Sequence, residues 1–221
     1  MKISKPRAVI LLSGGLDSAV TLYIAKQRGF DCHCLVFDYG QRHNKEIENA
    51  KKIALKAGCH YDLINISLPW KGSLLLESKR KLPANKHQSP VKIPSTYVPG
   101  RNIIFLSFAL SYAEAIAARA IFIGAHNQDY SGYPDCRPEF FKAFSAMALK
   151  GTKAGVENKQ IVIEAPLLNK GKAEIINIGA KFKVPFGLTW SCYQGGKKPC
   201  GKCDSCYFRI RGFKEAGIED L

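Results

Sequence analysis

The feature that most constrains this chain is the segment Ser13–Ser18, which reads S-G-G-L-D-S and directly follows the apolar run Ala8–Leu12. This order predicts a short strand, a glycine turn and then a helix that reaches about residue 28. Glycines let the backbone take positive φ and approach an anion closely. The unpaired N–H groups of a helix start lie at the positive end of its dipole. The segment therefore indicates a phosphate-binding turn, with a simple capped turn as the alternative.

The turn contains no lysine, which separates it from the common nucleotide-binding loop G-x-x-x-x-G-K-[ST]. Ser13 and Ser18 add hydroxyl donors beside the backbone N–H groups. Asp17 is a candidate metal ligand or N-terminal cap for the helix that follows.

Predicted strands and helices alternate through the first 188 residues. Strands are predicted at 7–12, 32–37, 61–66, 120–124 and 160–163, and helices at 17–28, 44–57, 102–119, 138–150 and 171–180. The alternation predicts an α/β domain with a doubly wound, parallel five-stranded sheet in the order 3-2-1-4-5. Segment 68–99 holds five of the eleven prolines. It is predicted to be an insertion, either a lid over the site or a surface loop without a catalytic part.

Length and composition narrow the functional classes. The 221 residues suit one domain with a small addition, and 46% hydrophobic residues supply a full core. No apolar run is long enough to span a bilayer and no signal-peptide pattern is visible, so we expect a cytoplasmic protein without membrane contact. The net charge of +15 suits polyanions such as ATP and pyrophosphate. Without a nucleic-acid-binding motif, no stable nucleic-acid complex is expected.

Four of the eight cysteines crowd the C-terminus at Cys192, Cys200, Cys203 and Cys206. Seven residues separate the first two, and two residues separate each following pair. Four thiolates at this spacing suit a tetrahedral zinc site, which would be closed and structural because all four are committed. An iron–sulfur cluster uses the same Cys-x-x-Cys spacing and stays open as the rival. Residues 189–221 are therefore predicted to form a small four-cysteine module.

Polar segments follow the second and fourth predicted strands, at 38–43 and 127–137. Ligands of a doubly wound sheet bind at the carboxyl ends of its strands, so both segments should meet the phosphate turn. Carboxylates there can read the N–H edge of a purine-like ring, and tyrosines can stack on it. Lys172 near a helix start can neutralise pyrophosphate charge. Cys136 is a less favoured nucleophile, because no base is assigned beside it.

These motifs resemble the 7-cyano-7-deazaguanine synthase family of the ATP pyrophosphatase superfamily. The similar segments run in order along nearly the whole chain: 13–18, 38–43, 98–102, 129–137, 166–172, 189–192 and 200–206. The resemblance implies an adenine nucleotide α-hydrolase-like fold and a ligase that forms C–N bonds. It implies that 7-carboxy-7-deazaguanine and ammonia become 7-cyano-7-deazaguanine, a queuosine precursor, with ATP split to AMP and pyrophosphate.

The resemblance and the motifs together assign the site residues. Catalytic roles are expected for Asp17, Lys172 and Arg101. ATP contacts are expected from Leu12, Ser13, Gly14, Gly15, Leu16, Asp17, Ser18 and Phe37. Substrate contacts are expected from Tyr39, Arg42, His43, Arg101, Asp129, Tyr130, Asp135 and Arg137. Mg²⁺ is expected with ATP, structural zinc at the four cysteines, and a homodimer is compatible with the family.

Two other functions stay open at this point. A tRNA-thiolating or lysidine-type enzyme of the same superfamily would need a sulfur-carrying cysteine or a tRNA-binding extension. A basic zinc-binding nucleic-acid module would leave Ser13–Ser18 unexplained. Release of pyrophosphate in the absence of RNA separates these functions from the first.

Overall fold

The computed structural model describes residues 4–70, 73–76, 93–126 and 132–220. The strands are β1 (Arg7–Leu11), β2 (Asp31–Asp38), β3 (His60–Asn65), β4 (Ala120–Phe122) and β5 (Val162–Glu164). The helices are α1 (Leu16–Gln27), α2 (Lys45–Lys56), α3 (Arg101–Ala115), α4 (Pro138–Gly151), α5 (Lys153–Val156), α6 (Lys172–Lys181) and α7 (Asp204–Ala216). Short 3₁₀ turns cover Pro134–Cys136 and Phe186–Leu188.

The five strands form one parallel sheet in the order β3-β2-β1-β4-β5, which confirms the predicted fold class. The central strand β1 pairs with β2 from Arg7↔Asp31 to Leu11↔Leu35, and with β4 at Ala8↔Ala120. The chain runs from β1 through β2 to β3 at one edge of the sheet, and then crosses over to β4 and β5 on the other side of β1. The carboxyl ends of β1 and β4 therefore lie side by side, where a doubly wound sheet binds its ligand.

Alternate residues of β1 supply two cores, one on each face of the sheet. Ala8 and Ile10 belong to a cluster that includes residues of α1, α2 and α6, whereas Val9 and Leu11 belong to a cluster that includes α3 and α4. This is the period-two alternation that a strand with two covered faces requires. Helices on both faces follow from right-handed crossovers on either side of β1.

Two predicted boundaries are wrong. The third helix was expected to continue to residue 119, but α3 ends at Ala115. Ala117 takes the left-handed conformation (φ 52°), and the Ala118 amide donates to the Ala113 carbonyl to close the turn. Glycine usually marks this position, so the sequence carries no stop signal. Strand β5 spans Val162–Glu164 rather than 160–163, and Val162 donates to the Arg119 carbonyl beside β4.

Helix α7 was not predicted as a separate element. Its Phe213 is 2% exposed and belongs to the same cluster as α1 and α6. The boundary between residues 188 and 189 stays a prediction. Most of segment 68–99 lies outside the described residues, so its predicted lid role is not addressed. Within the described part of the chain, no helix is long and apolar enough to cross a membrane.

Candidate active site

The turn between β1 and α1 is held in a conformation that only glycine allows. Gly14 has φ +82°, and a Cβ there would lie 2.1 Å from the Glu46 carbonyl oxygen. A Cβ on Gly124, after β4, would lie 2.9 Å from the Ser18 amide nitrogen. Both approaches are too close for any side chain. The start of α1 is therefore fixed between α2 and the end of β4.

The serine hydroxyls of this turn are joined to one another. The Ser18 hydroxyl donates to the Gly15 carbonyl at 3.0 Å, accepts from the Ser13 amide at 3.2 Å and lies 3.0 Å from the Ser13 hydroxyl. No side chain caps the start of α1. The first-turn N–H groups of the helix have no intrahelical partner. Together with the helix dipole, these groups favour a negative charge, and phosphate binding at the turn stays a prediction.

A cavity of about 240 Å³ opens directly from this turn. Its walls come from the ends of β1 and β2, the starts of α1, α2 and α3, the segment after β4, and the C-terminal module. Described residues at its wall include Leu12, Ser13, Gly15, Asp17, Ser18, Phe37, Tyr39, Glu46, Leu75, Arg101, Cys136 and Tyr193. Its size is close to the lower end of small-molecule sites.

Phe37, predicted to contact ATP, stacks on Phe105 of α3 with ring centroids 4.0 Å apart and planes 10° apart. The pair gives the cavity a flat, apolar wall at the end of β2. Leu16, also predicted to contact ATP, is 2% exposed and packs in the core. Neither Leu16 nor Gly14 is among the residues that line the cavity.

Asp17 and Lys172, the two predicted catalytic residues from opposite ends of the chain, form an ion pair. The Lys172 ammonium donates to both Asp17 carboxylate oxygens at 2.7 and 2.9 Å and lies 3.0 Å from Nε2 of His126. His126 Nε2 is also 3.4 Å from Asp17 Oδ2. Burial alone would raise the pKa of Asp17, but the charge of Lys172 and the contact with His126 outweigh it. The pKa of this carboxyl is therefore held below its usual range.

Asp17 holds the Lys172 ammonium at the start of α6 with both carboxylate oxygens. Each oxygen keeps a further lone pair, and the role of Asp17 as a Mg²⁺ ligand stays a prediction.

Arg101, at the first position of α3, lines the opposite side of the cavity with Tyr39 and Glu46. Burial raises the pKa of the Tyr39 phenol, and the neighbouring Arg101 guanidinium partly offsets this effect. Burial also raises the pKa of Glu46 to about 7, although Arg101 acts in the opposite direction. The cavity wall therefore contains the Arg101 cation and one carboxyl that titrates near neutrality, with Lys172 behind the wall, bound to Asp17.

Four predicted substrate contacts lie outside the residues that line the cavity. The Arg42 guanidinium donates to the Leu74 carbonyl at 3.2 Å, and His43 Nε2 lies 3.1 Å from the Cys192 carbonyl oxygen. Asp135 is buried and accepts a hydrogen bond from the Asn102 amide at 2.9 Å.

Arg137 is exposed at the start of α4. Asp129 and Tyr130 lie outside the described residues. All of these substrate roles stay predictions.

Cys136, the alternative nucleophile, lines the cavity and is buried. Its Sγ accepts from the Asn102 side-chain amide at 3.1 Å. An amide is not a general base, so this contact does not activate the thiol.

The four C-terminal cysteines come together as predicted, with their sulfur atoms within 4.8 Å of one another. Cys200 Sγ and Cys206 Sγ are 4.0 Å apart. Backbone amides donate to the sulfurs: Gln194 and Cys200 to Cys192 at 3.4 and 3.3 Å, and Lys202 and Cys203 to Cys200 at 3.4 Å. Such N–H donors stabilise thiolates, which are the form that binds a metal.

The cysteine module contacts the phosphate-binding turn directly. The Trp190 amide donates to the Gly14 carbonyl at 2.9 Å, and the Trp190 indole donates to the Cys192 carbonyl at 2.8 Å. The Lys45 ammonium lies 3.9 Å from the Trp190 ring centroid. One tryptophan therefore links the cysteines, the turn and α2.

Sequence reasoning missed three residues of the site: His126, Glu46 and Trp190. His126 directly follows the fourth strand and carried the same positional signal as the residues that were chosen. Glu46 had no distinguishing signal, because acidic residues are common in the first turn of any helix. Trp190 lay within a recognised motif but had no assigned role.

Comparison with known proteins gives consistent matches. The family model described as "Queuosine biosynthesis protein QueC" matches residues 7–217. The 7-cyano-7-deazaguanine synthase of Nostoc sp. (strain PCC 7120) is 50% identical over 218 residues, which cover 97% of this chain and 95% of that protein. The synthase of Thermoplasma acidophilum is 47% identical over 219 residues, covering 99% and 92% of the two chains.

Solved structures support the fold alone. NMN synthetase from Francisella tularensis aligns with a TM-score of 0.53 at 14% identity, covering 97% of this chain and 79% of that one. A predicted subunit of tRNA methyltransferase from Methanocaldococcus jannaschii aligns with a TM-score of 0.52 at 15% identity, covering 97% and 90%.

Proposed function

Since this chain belongs to the QueC family of queuosine biosynthesis proteins, we propose that it converts 7-carboxy-7-deazaguanine and ammonia to 7-cyano-7-deazaguanine. The enzyme is a ligase that forms C–N bonds with ATP as co-substrate. The observation that carries the proposal is the uncapped start of α1, which faces a cavity beside Lys172 and Arg101. Such a site suits the transfer of AMP to a small carboxylate, because it binds phosphates and also encloses the acceptor.

The chemistry requires two activations. A carboxylate is a poor electrophile, so its oxygen first attacks the α phosphate of ATP and pyrophosphate leaves. Ammonia then displaces AMP from the acyl adenylate and gives the amide. The amide oxygen attacks a second ATP and pyrophosphate leaves. The nitrogen then loses both of its protons and AMP departs, which gives the nitrile. One site performs both rounds, because in each round an oxygen leaves as AMP.

The residues of the turn support cleavage between the α and β phosphates. The first-turn N–H groups of α1 and the Ser13 hydroxyl are donors for the departing pyrophosphate, and the Ser18 hydroxyl, which donates to the Gly15 carbonyl, holds the turn in place. Lys172 and Arg101 place two cations in or beside the same cavity, where negative charge develops as pyrophosphate leaves. Cations fixed before the reaction stabilise such charge without reorganisation. No covalent nucleophile is needed.

We propose zinc at the four cysteines. Four ligands at a Zn–S distance of about 2.3 Å lie about 3.8 Å from one another in a tetrahedron. The 4.0 Å between Cys200 Sγ and Cys206 Sγ fits this geometry. An iron–sulfur cluster fits less well, because its four thiolates are divided among two or four irons and cannot all lie at the spacing of ligands around one ion, whereas these sulfurs all lie within 4.8 Å of one another. With all four thiolates committed, the ion supplies folding free energy rather than catalysis.

Other expectations go with this function as proposals. ATP enters with Mg²⁺, the protein acts in the cytoplasm on small molecules rather than nucleic acid, and a homodimer is the expected assembly. The separation of residues 1–188 from 189–221 as two domains is also a proposal. The two domains would fold separately only if the hydrogen bond between the Trp190 amide and the Gly14 carbonyl were dispensable.

Chromatography of the spent nucleotide tests the function. With 7-carboxy-7-deazaguanine and ammonium present, the expected nucleotide product is AMP, with pyrophosphate and the nitrile. The amide intermediate should also be accepted and should still require ATP. ADP and phosphate as products would overturn the proposal, as would a requirement for RNA.

A further inference from the structure

The Glu46 carboxylate is the one acidic side chain on the wall of the cavity besides Asp17, among the residues that the structure describes. Asp17 is paired with Lys172 and His126. Glu46 makes no hydrogen bond or ion pair within the described ranges, and its side chain is half-buried. An unpaired, half-buried carboxylate is destabilising, and such groups concentrate at functional sites.

The position of Glu46 is fixed by the phosphate-binding turn. Its carbonyl oxygen lies where a Cβ on Gly14 would be, so the start of α2 packs on the turn. Arg101 of α3 and Tyr39 after β2 are the titratable groups near its carboxylate, and Tyr193 of the C-terminal module lines the same cavity. Burial keeps the pKa of Glu46 at about 7, so both protonation states are populated at physiological pH.

We propose that the Glu46 carboxylate binds the nitrogen substrate as ammonium and accepts the protons that this nitrogen loses. The inference rests on the proposed function and names a group for a step that function leaves unassigned. Ammonium is the main form of ammonia at neutral pH and has no lone pair for attack. Among the described lining residues, Asp17 is already paired with Lys172, so the Glu46 carboxylate is the acidic group left to bind it.

Glu46 can accept the protons that nitrogen loses in both rounds. In the first round, ammonium transfers one proton to Glu46, which passes it to water. The freed lone pair forms the C–N bond while the C–O bond to AMP breaks, and the new nitrogen, which still carries three protons, loses one of them through Glu46 to give the amide. In the second round, adenylation of the amide oxygen leaves a positively charged nitrogen with two protons. Glu46 takes the first and releases it to water, and then takes the second; the electron pair of that N–H bond forms the third C–N bond, and AMP leaves with the C–O pair.

The test compares Glu46→Gln with Glu48→Gln. Glu48 lies exposed on the same helix turn and does not line the cavity, so it is a matched control. Exchange of labelled pyrophosphate into ATP, driven by 7-carboxy-7-deazaguanine without ammonium, reports adenylation alone. Amide and nitrile formation at varied ammonium concentration and pH report the nitrogen steps.

For Glu46→Gln we expect near wild-type exchange, and ammonium-dependent turnover lower by about 10²-fold, the usual contribution of a general base. The loss should shrink as the pH rises and free ammonia becomes available. Hydroxylamine, which is largely neutral at pH 7, should restore adenylate capture as the hydroxamate. Glu48→Gln should behave as wild type.

Wild-type ammonium kinetics in Glu46→Gln would overturn the inference. So would an equal loss of exchange activity that added Mg²⁺ restores, because Glu46 would then be a ligand of the metal that accompanies ATP. Failure of the wild-type enzyme to form nitrile would instead contradict the proposed function, so the two failures are distinguishable.

Discussion

Replacing Gly212 with alanine should push Lys172 out of its place beside Asp17. Gly212 lies in α7, and a Cβ there would be 2.4 Å from Cγ of Lys172 and 2.9 Å from Cδ1 of Ile176. Lys172 cannot swing away freely, because its ammonium is bound to both Asp17 oxygens. The clash falls on the stem of the side chain, close to the backbone of α6, rather than on a flexible end.

The size of the displacement follows from contact distances. Carbon atoms in contact lie about 3.5 to 4.0 Å apart, so the Lys172 stem must move by about 1 Å. Its 2.7 Å bond to Asp17 Oδ1 would then exceed hydrogen-bonding distance. A displacement of about 1 Å at a catalytic group lowers turnover by as much as about 10²-fold. Stability should change less, because overpacking of about 1–3 kcal/mol is offset by about 1 kcal/mol of helix propensity.

The assay is the rate of AMP formation at saturating ATP, with thermal unfolding measured in parallel. Gly151→Ala at the end of α4 is the control, since its new Cβ would meet only Met147 Sδ, at an ordinary 3.6 Å. In a Lys172→Met background, Gly212→Ala should cause no further loss, because the two changes act on one interaction. Wild-type turnover for Gly212→Ala, or a full additional loss in the Lys172→Met background, would refute the reasoning.

Three further predictions follow from the same site. Asp17→Asn should lower turnover at least about tenfold, or ~1.4 kcal/mol of transition-state stabilisation, as measured by AMP release. The pKa of Asp17 is held below its usual value, so its pairing with Lys172 stabilises the fold at neutral pH. That contribution is lost progressively as the pH falls below about 4. The free energies of unfolding of wild type and Asp17→Asn should therefore converge in this acid range. Cys203→Ser should lose one equivalent of zinc by elemental analysis and unfold at lower temperature, whereas Cys59→Ser, outside the cluster, should keep the metal; iron with sulfide would contradict the assignment. The effect of Glu46 on stability has the opposite sign, since its pKa is raised to about 7. Glu46→Gln should therefore stabilise the protein above pH 7 by at most about 3 kcal/mol and have little effect below pH 4.5. Denaturant midpoints that are the same for Glu46→Gln and wild type at pH 5 and again at pH 8 would contradict this.

The fold was predictable because its determinants are local. Alternating apolar residues in β1 and the repeated strand–helix pattern require a parallel sheet, and crossover handedness then limits the strand order. Glycines such as Gly29 and Gly58, both with positive φ, marked two helix ends correctly. The end of α3 was not predicted because Ala117 takes a left-handed backbone conformation, which an alanine in the sequence does not indicate.

The candidate site was predictable only where its chemistry lies within one segment. The turn at 13–18 and the cysteine spacing needed no tertiary information. Glu46 is placed in the site by its burial and by the contact of its backbone with Gly14, 32 positions earlier in the chain. No local sequence pattern indicates either feature. His126 is significant because Lys172, 46 positions later in the chain, lies 3.0 Å away.

The placement of the cysteine module gives a reason why the proposed metal would matter to catalysis. Gly14 is held from two sides, by the Trp190 amide on its carbonyl and by the Glu46 backbone against its Cα. The Trp190 indole in turn donates to the carbonyl of Cys192, one of the four clustered cysteines. Helix α7 begins within the same cysteine motif and presents Gly212 to the stem of Lys172. A phosphate-binding turn stabilises charge without reorganisation only if its donors are fixed before ATP arrives. A metal bound at the four cysteines would therefore act on catalysis at a distance, because it would hold in place both the turn proposed to bind the leaving pyrophosphate and the helix that packs against Lys172.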